Sequence, residues 1–223
     1  MHKVFFTKHT YGILSVSMII TYHGKQFFKI QQGETVVAYN PISTDAKVPF
    51  KVSRFGADIV LSSLNHLDSN GFDTASFGDK VPVIINGPGD YEVKEIFIKG
   101  NLSRTKKDGK DYINTIYSMN LEDITVLFLG TIDHALDAKE REGFASPDII
   151  VVPIGSDTLD PTLAYKIAVS FEPSIIIPVG DDDKMMKQFA KEAGAPEVKP
   201  LDKLVIKKKD LNGKVGEVVL LEM

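Results

Sequence analysis

Apolar residues alternate with polar ones in short runs through the first half of the chain and gather into unbroken blocks in the second. The runs "SMIITYHG", "QFFKIQQG" and "TVVAYNP" follow one another closely. Gly24 and Gln32-Gly33 mark the turns between them, so they predict a β-meander. "FGADIVLSS" is short, dense in β-branched residues and predicts a buried strand. It runs into "LNHLDSNGF", where apolar character stops and Asn70-Gly71 reads as a turn. "KVPVIINGPGDYEVKEIFIKG" predicts two or three strands broken at Gly87-Pro88-Gly89, with that glycine-proline stretch a structural turn rather than a phosphate loop. "DYINTIYSMN" and "ITVLFLG" predict two more, joined by a tight turn over Asn120, Leu121, Glu122 and Asp123.

In the second half "DIIVVPIG" and "SIIIPVG" read as strands buried on both faces. A helix is predicted from Asp160, a good N-cap, with Pro161 in its first turn. A second, "DDKMMKQFAKEAG", is closed by Gly194. "KLVIKKKDLNGKVGEVVLLEM" predicts a terminal hairpin turning at Asn212-Gly213, with Lys207, Lys208 and Lys209 a solvated strand end. Blocks of strand alternating with helix require a sheet covered on both faces, and the meanders exclude an all-parallel sheet. The fold class expected is therefore α/β: two mixed β-sheets packed face to face, with helices outside. Residues 18–223 read as a single domain, and residues 1–17 as an N-terminal extension or an extra strand.

Composition narrows the function classes. The 223 residues are 43% hydrophobic and 25% charged, which suits a self-sufficient globular core. Cysteine is absent, so disulfides, zinc ribbons and thiol nucleophiles are excluded, and a reducing cytoplasmic setting is the expectation. With 26 basic and 30 acidic residues the net charge is −4, and no basic field draws in nucleic acid. No apolar run reaches the roughly 20 residues of a membrane span.

The order of elements, with a polar loop after "ADIVLSS", resembles the metallo-β-lactamase superfamily. The resemblance is to its small bacterial and archaeal branch of Zn-dependent hydrolases of the β-lactamase fold. "MIITYHGKQFFKIQQGETVVAYNP" is similar to that branch's opening meander, "GPGDYEV" to its middle turn, and "LFLGTIDH" and "IIIPVG" to the strand ends that carry its later ligands. The resemblance implies an αββα sandwich and a zinc site at one sheet edge, led by a His-x-His-x-Asp-His motif. Over those six positions this chain reads Leu64, Asn65, His66, Leu67, Asp68, Ser69. The bridging carboxylate falls on Thr131, the last histidine on Gly180, and the histidine of the opening Gly-His on Lys25. The histidine that should follow "IFIKG" is missing from "NLSRTKK".

A zinc ion needs about three protein ligands besides its water. Leu and Gly cannot coordinate, Ser and Thr coordinate zinc poorly, and His66 with Asp68 cannot make up the number. Without the metal no bound water is acidified to a pKa of about 7. The expectation is a β-lactamase-fold protein without its zinc site, acting as a non-catalytic ligand- or partner-binding protein. No cofactor is expected, and the partner is an unidentified small molecule or protein, with self-association left open. The alternative is a divergent hydrolase of phosphodiester, lactone or amide bonds, with zinc or another divalent cation in a rebuilt site around His66, Asp68 and the acids Asp181, Asp182 and Asp183. The cleft candidates are Lys25, Asn65, His66, Asp68, Thr131, Asp133, His134, Gly180 and Asp181. Asp68 has Lys25 as a potential partner. The adjacent Asp133 and His134 read as a surface loop pair, and Asp181 to Asp183 as helix-capping acids. Ser156 of "PIGSDT" has no identifiable base beside it.

Overall fold

The computed structural model describes residues 16–223, so the extension or extra strand expected over residues 1–17 lies almost wholly outside the described residues. Strands β1 (Met18–Tyr22), β2 (Phe28–Gln32) and β3 (Thr35–Tyr39) form the meander. Parallel strands β4 (Ile59–Leu61) and β5 (Val83–Ile85) extend it. Between them lies the one-turn helix α1 (Phe72–Ala75).

The second sheet begins with β6 (Gly89–Val93), β7 (Ile96–Lys107), β8 (Lys110–Leu121) and β9 (Ile124–Phe128), all antiparallel. It continues in parallel through β10 (Ile149–Pro153) and β11 (Ile175–Val179). The helices are α2 (Ala138–Arg141), α3 (Pro161–Val169) and α4 (Asp183–Glu192). Strands β12 (Leu204–Ile206) and β13 (Glu217–Val218) finish the chain. Strand order is β12-β1-β2-β3-β4-β5 in one sheet and β13-β11-β10-β9-β8-β7-β6 in the other.

Three apolar layers follow from the strand patterns. The alternating residues Met18, Ile20, Phe28, Ile30, Val37 and Tyr39 meet Tyr117, Met119, Val126 and Phe128 between the sheets, with Tyr39 stacked on Phe128 at 4.1 Å. The unbroken strands β10 and β11 present their other face to α3 and α4, where Ile150, Val152, Ile167 and Phe189 pack. The outer face of the first sheet is covered differently. Phe27, Val36 and Val60 lie beneath extended chain carrying Val48, Phe50 and Val52, with α1 the single helical turn there. The sandwich is thus of the expected kind, with helical cover concentrated on one side.

The strand read in "IFIKG" runs on through "NLSRTKK" in full pairing with β8, Lys107 opposite Lys110. The terminal segment is not a hairpin. β12 pairs antiparallel with β1 in the first sheet, while β13 pairs parallel with β11 in the second. A 3-10 turn over Lys208–Leu211 precedes Asn212-Gly213. Two open sheet edges compete with local pairing here, and each takes one strand.

Candidate functional site

Parallel strands end together where their sheets' connections diverge, and that is where open α/β folds form crevices. Here β4 ends at Leu61, β9 at Phe128, β10 at Pro153 and β11 at Val179. The loops beyond them, with the β1–β2 turn and the end of β7, enclose a cleft of about 320 Å³. Lys25, Asp68, Lys107, Thr131, Gly180 and Asp181 line it.

Two buried asparagines hold its floor. Asn40 is fully buried; its Oδ1 accepts from Ser63 N at 2.7 Å and its Nδ2 donates to Ser63 Oγ at 2.9 Å, fixing the exit of β4. Asn114, also fully buried, donates to Leu129 O at 3.1 Å and accepts from Thr131 N at 2.8 Å, fixing the exit of β9. Between them Gly130 takes φ +67°, and a Cβ there would sit 2.1 Å from Asn114 Oδ1. Gln26 spans the two brackets, accepting from Asn40 at 3.3 Å and donating to Thr131 Oγ1 at 3.4 Å.

The charges in the cleft come as pairs. Lys25 follows Gly24 in a left-handed turn (φ +54°) and its Nζ reaches Asp181 at 2.5 Å. Burial pulls the Lys25 ammonium toward neutrality, but the hydrogen bond and charge of Asp181, with Asp68 behind it, outweigh this and raise its pKa. Lys107, at the tip of β7, places Nζ 3.1 Å from Asp68 Oδ2. The sequence suggested Lys25 as the partner of Asp68; the structure gives each carboxylate its own lysine. Asp182 caps α4, accepting from Lys184 N and Met185 N, as expected of acids there.

Of the sequence candidates, Lys25, Asp68, Thr131, Gly180 and Asp181 meet at the cleft, while Asn65, His66, Asp133 and His134 are not among its lining residues. Asn65 accepts from Asn70 at 2.8 Å. His66 turns toward the β7–β8 tip: its Nδ1 accepts from Asp68 N at 3.2 Å, its Nε2 faces Asp108 at 3.2 Å, and its ring meets Tyr112 edge-on. Asp133 and His134 are joined to β7 and α2 rather than standing as an isolated surface pair, since Asp133 accepts from Lys106 N and His134 Nε2 donates to Glu140 Oε1. Ser156 lines the cleft. The residues that reading the sequence missed are Lys107, Asn40 and Asn114. A lysine pair before Asp108-Gly109 was the available sign of the first; a polar residue in a strand gives no sign of the other two.

The model of the family described as the Beta-lactamase superfamily domain matches residues 19–180. The chain belongs to the β-lactamase superfamily. A search of curated proteins returned no match. Among solved structures, a Thermotoga maritima protein provisionally named a Zn-dependent hydrolase of the metallo-β-lactamase superfamily superposes with a TM-score of 0.72 at 24% identity, covering 92% of this chain and 98% of its own. A Parabacteroides distasonis protein provisionally named a metal-dependent hydrolase gives 0.64 at 14% identity, over 93% and 94%. Igni18, a metallo hydrolase from the archaeon Ignicoccus hospitalis, gives 0.61 at 17% identity, over 86% and 99%. At these identities the likeness establishes the metallo-β-lactamase fold, and within this superfamily chemistry is decided by the side chains at the cleft.

Proposed function

We propose that this β-lactamase-superfamily protein has given up metal chemistry and uses its cleft to bind a small polar ligand without catalysis. The observation that carries the reading is the Lys107–Asp68 pair at 3.1 Å: the carboxylate that the family resemblance makes a metal ligand has an ammonium as its counter-charge. Lys25 does the same for Asp181. A cation entering between them would have to displace or repel two ammonium groups.

The donor set does not fit a zinc ion. Among the described residues no three His, Asp or Glu side chains stand close enough together to hold a metal. His66 places Nδ1 3.7 Å from Asp68 Oδ2 and turns Nε2 to Asp108 at 3.2 Å, so this pair brings only two of the motif's ligands, and Leu64 is buried. At Gly180, where the resemblance places a histidine, an added Cβ would lie 2.1 Å from Ile154 O, so this backbone has no room for a side chain there. The cleft is within the size range of small-molecule sites and is lined by Ser69, Thr131, Ser156 and Thr158 as well as by the two ion pairs, which suits a ligand bearing polar groups of either sign.

Metal analysis of protein purified without chelator tests the reading, together with melting temperatures in added Zn²⁺, Mn²⁺ and Mg²⁺. A metal bound only by the folded state would raise the melting temperature by mass action. The expected result is negligible metal and no rise. A rise of several degrees that disappears in Asp68→Ala would overturn the proposal and favour a metal-dependent hydrolase.

A further inference from the structure

Beyond Gly100, β7 has no β6 partner, so its outer edge from Asn101 to Lys107 is open to whatever covers it. The segment after β9 covers it. Asn101 Nδ2 donates to the carbonyls of Glu140 (3.1 Å) and Glu142 (2.8 Å), Ser103 Oγ donates to Glu140 Oε1 (2.6 Å), and Lys106 N donates to Asp133 Oδ2 (3.1 Å). Exposed β-edges are usually closed in some such way. What is unusual is the pin. His134 sits between two carboxylates, Nδ1 at 2.9 Å from Asp133 Oδ1 and Nε2 at 2.9 Å from Glu140 Oε1.

Both contacts are hydrogen bonds only when both ring nitrogens carry protons, that is, when the ring is an imidazolium. A neutral ring has one N–H and must turn a lone pair toward one carboxylate. Glu140 is the more deeply buried acid and also accepts from Ser103 and from Asp137 N. It therefore keeps the remaining N–H, and Asp133 loses the hydrogen bond to its Oδ1, so that its Oδ2, which accepts from the Lys106 amide, is no longer oriented by the ring. Asp133 is what holds the Lys106 amide, and the next residue is the lysine that reaches Asp68 in the cleft.

We infer that the Asp133–His134–Glu140 chain is a proton-operated latch that sets the end of β7, and with it Lys107, over the cleft. The inference rests on the reading of Lys107 as the charge partner of Asp68. Other charges face the ring as well. Asp137 is committed to capping α2, while Arg104 of β7 and Lys139 of α2 line the same groove and oppose the imidazolium. The two contacting carboxylates prevail. Burial alone would lower the His134 pKa, and the hydrogen bonds and charges of Asp133 and Glu140 raise it instead. Asp133 is held below the usual carboxylate range, its burial outweighed by His134 and by Lys106 N. The latch is closed below the raised midpoint and opens as pH rises through it.

An NMR titration of metal-free wild-type protein from about pH 5 to about pH 9 tests this on the ring C–H signals and the backbone amides. The expected result is a His134 midpoint above the ordinary imidazole value, shared by the amides of Lys106 and Lys107. In Asp133→Asn the ring still titrates, but the two amides lose that midpoint. In His134→Gln they lose it as well. An ordinary midpoint for His134, or Lys106 and Lys107 amides that shift independently of it, would overturn the latch. The wild-type titration decides this even if a variant fails to fold. If instead the cleft reading is at fault, the fault appears in the metal-binding measurement, which this titration does not use.

Discussion

Asn114 is fully buried and spends its side chain on the chain's own backbone, bonding Leu129 O and Thr131 N. Replacing it with Ala leaves a buried carbonyl and a buried N–H unpaired at the cleft floor, at a cost of about 1–3 kcal/mol for each such group. Asn114→Ala should therefore lower stability by about 2–6 kcal/mol, read from urea unfolding. Asn114→Asp should be no better, because it adds a buried charge. His23 gives a pH signature. Its ring lies between Phe27 and Phe55, and its Nε2 is buried with no hydrogen-bond partner among the described residues. Burial, helped by Lys29, lowers its pKa from 6.5 to about 4. The unfolded chain takes up the proton first as pH falls, so stability from this residue is whole above 6.5 and drains between 6.5 and about 4. Allowing for the partial exposure of the ring, the loss should be about 1–3 kcal/mol. It is measured as the difference in acid sensitivity between wild type and His23→Phe, and equal acid sensitivity would contradict the assignment.

Helix α3 begins where local chemistry puts it. Asp160 accepts from Thr162 N at 3.0 Å and Leu163 N at 3.1 Å, and Pro161 occupies the first turn. Asp160→Ala should cost about 1 kcal/mol, while Asp160→Asn or Asp160→Ser should cost much less. The thermal midpoints of the three variants check this. Elements set by such near-neighbour rules were legible in the sequence: the meander, the strand ends feeding the cleft, and both long helices with their caps. Elements set by distant partners were not. The end of β7 is polar on both faces, and its pairing with β8 is what makes it strand, so the sequence pattern ends the strand at "IFIKG" and says nothing of Lys107. Without that strand the partner of Asp68 could not be foreseen, and Lys25 was the nearest cation in sight. Asn40 and Asn114 were invisible for a related reason. Each acts by bonding residues far from it in sequence, and a lone Asn in a strand pattern carries no mark of burial.

At the scale of the molecule the two sheets are tied by the last stretch of chain. Asn212-Gly213 is a good hairpin signal, but a hairpin would leave β1 and β11 as open edges. Placing β12 on β1 and β13 on β11 closes both and carries Leu204, Ile206 and Leu211 into the layer between the sheets, with Val218 on the helix side. One edge of each sheet thus depends on the last segment of the sequence, through contacts of long range. Leu211, in the 3-10 turn that crosses from one sheet to the other, is 4% exposed. Leu211→Ala should cost about 2–5 kcal/mol, the range for a buried leucine whose site cannot collapse. Ending the chain after Pro200 should do more, since it strips an edge strand from each sheet and leaves the apolar strands β1 and β11 as open edges. The expected outcome is loss of the cooperative thermal transition and concentration-dependent association, seen by calorimetry and light scattering. A truncated chain that stayed monomeric and unfolded cooperatively would mean that the sheets are held together by their facing residues alone, and that the C-terminal crossing is dispensable.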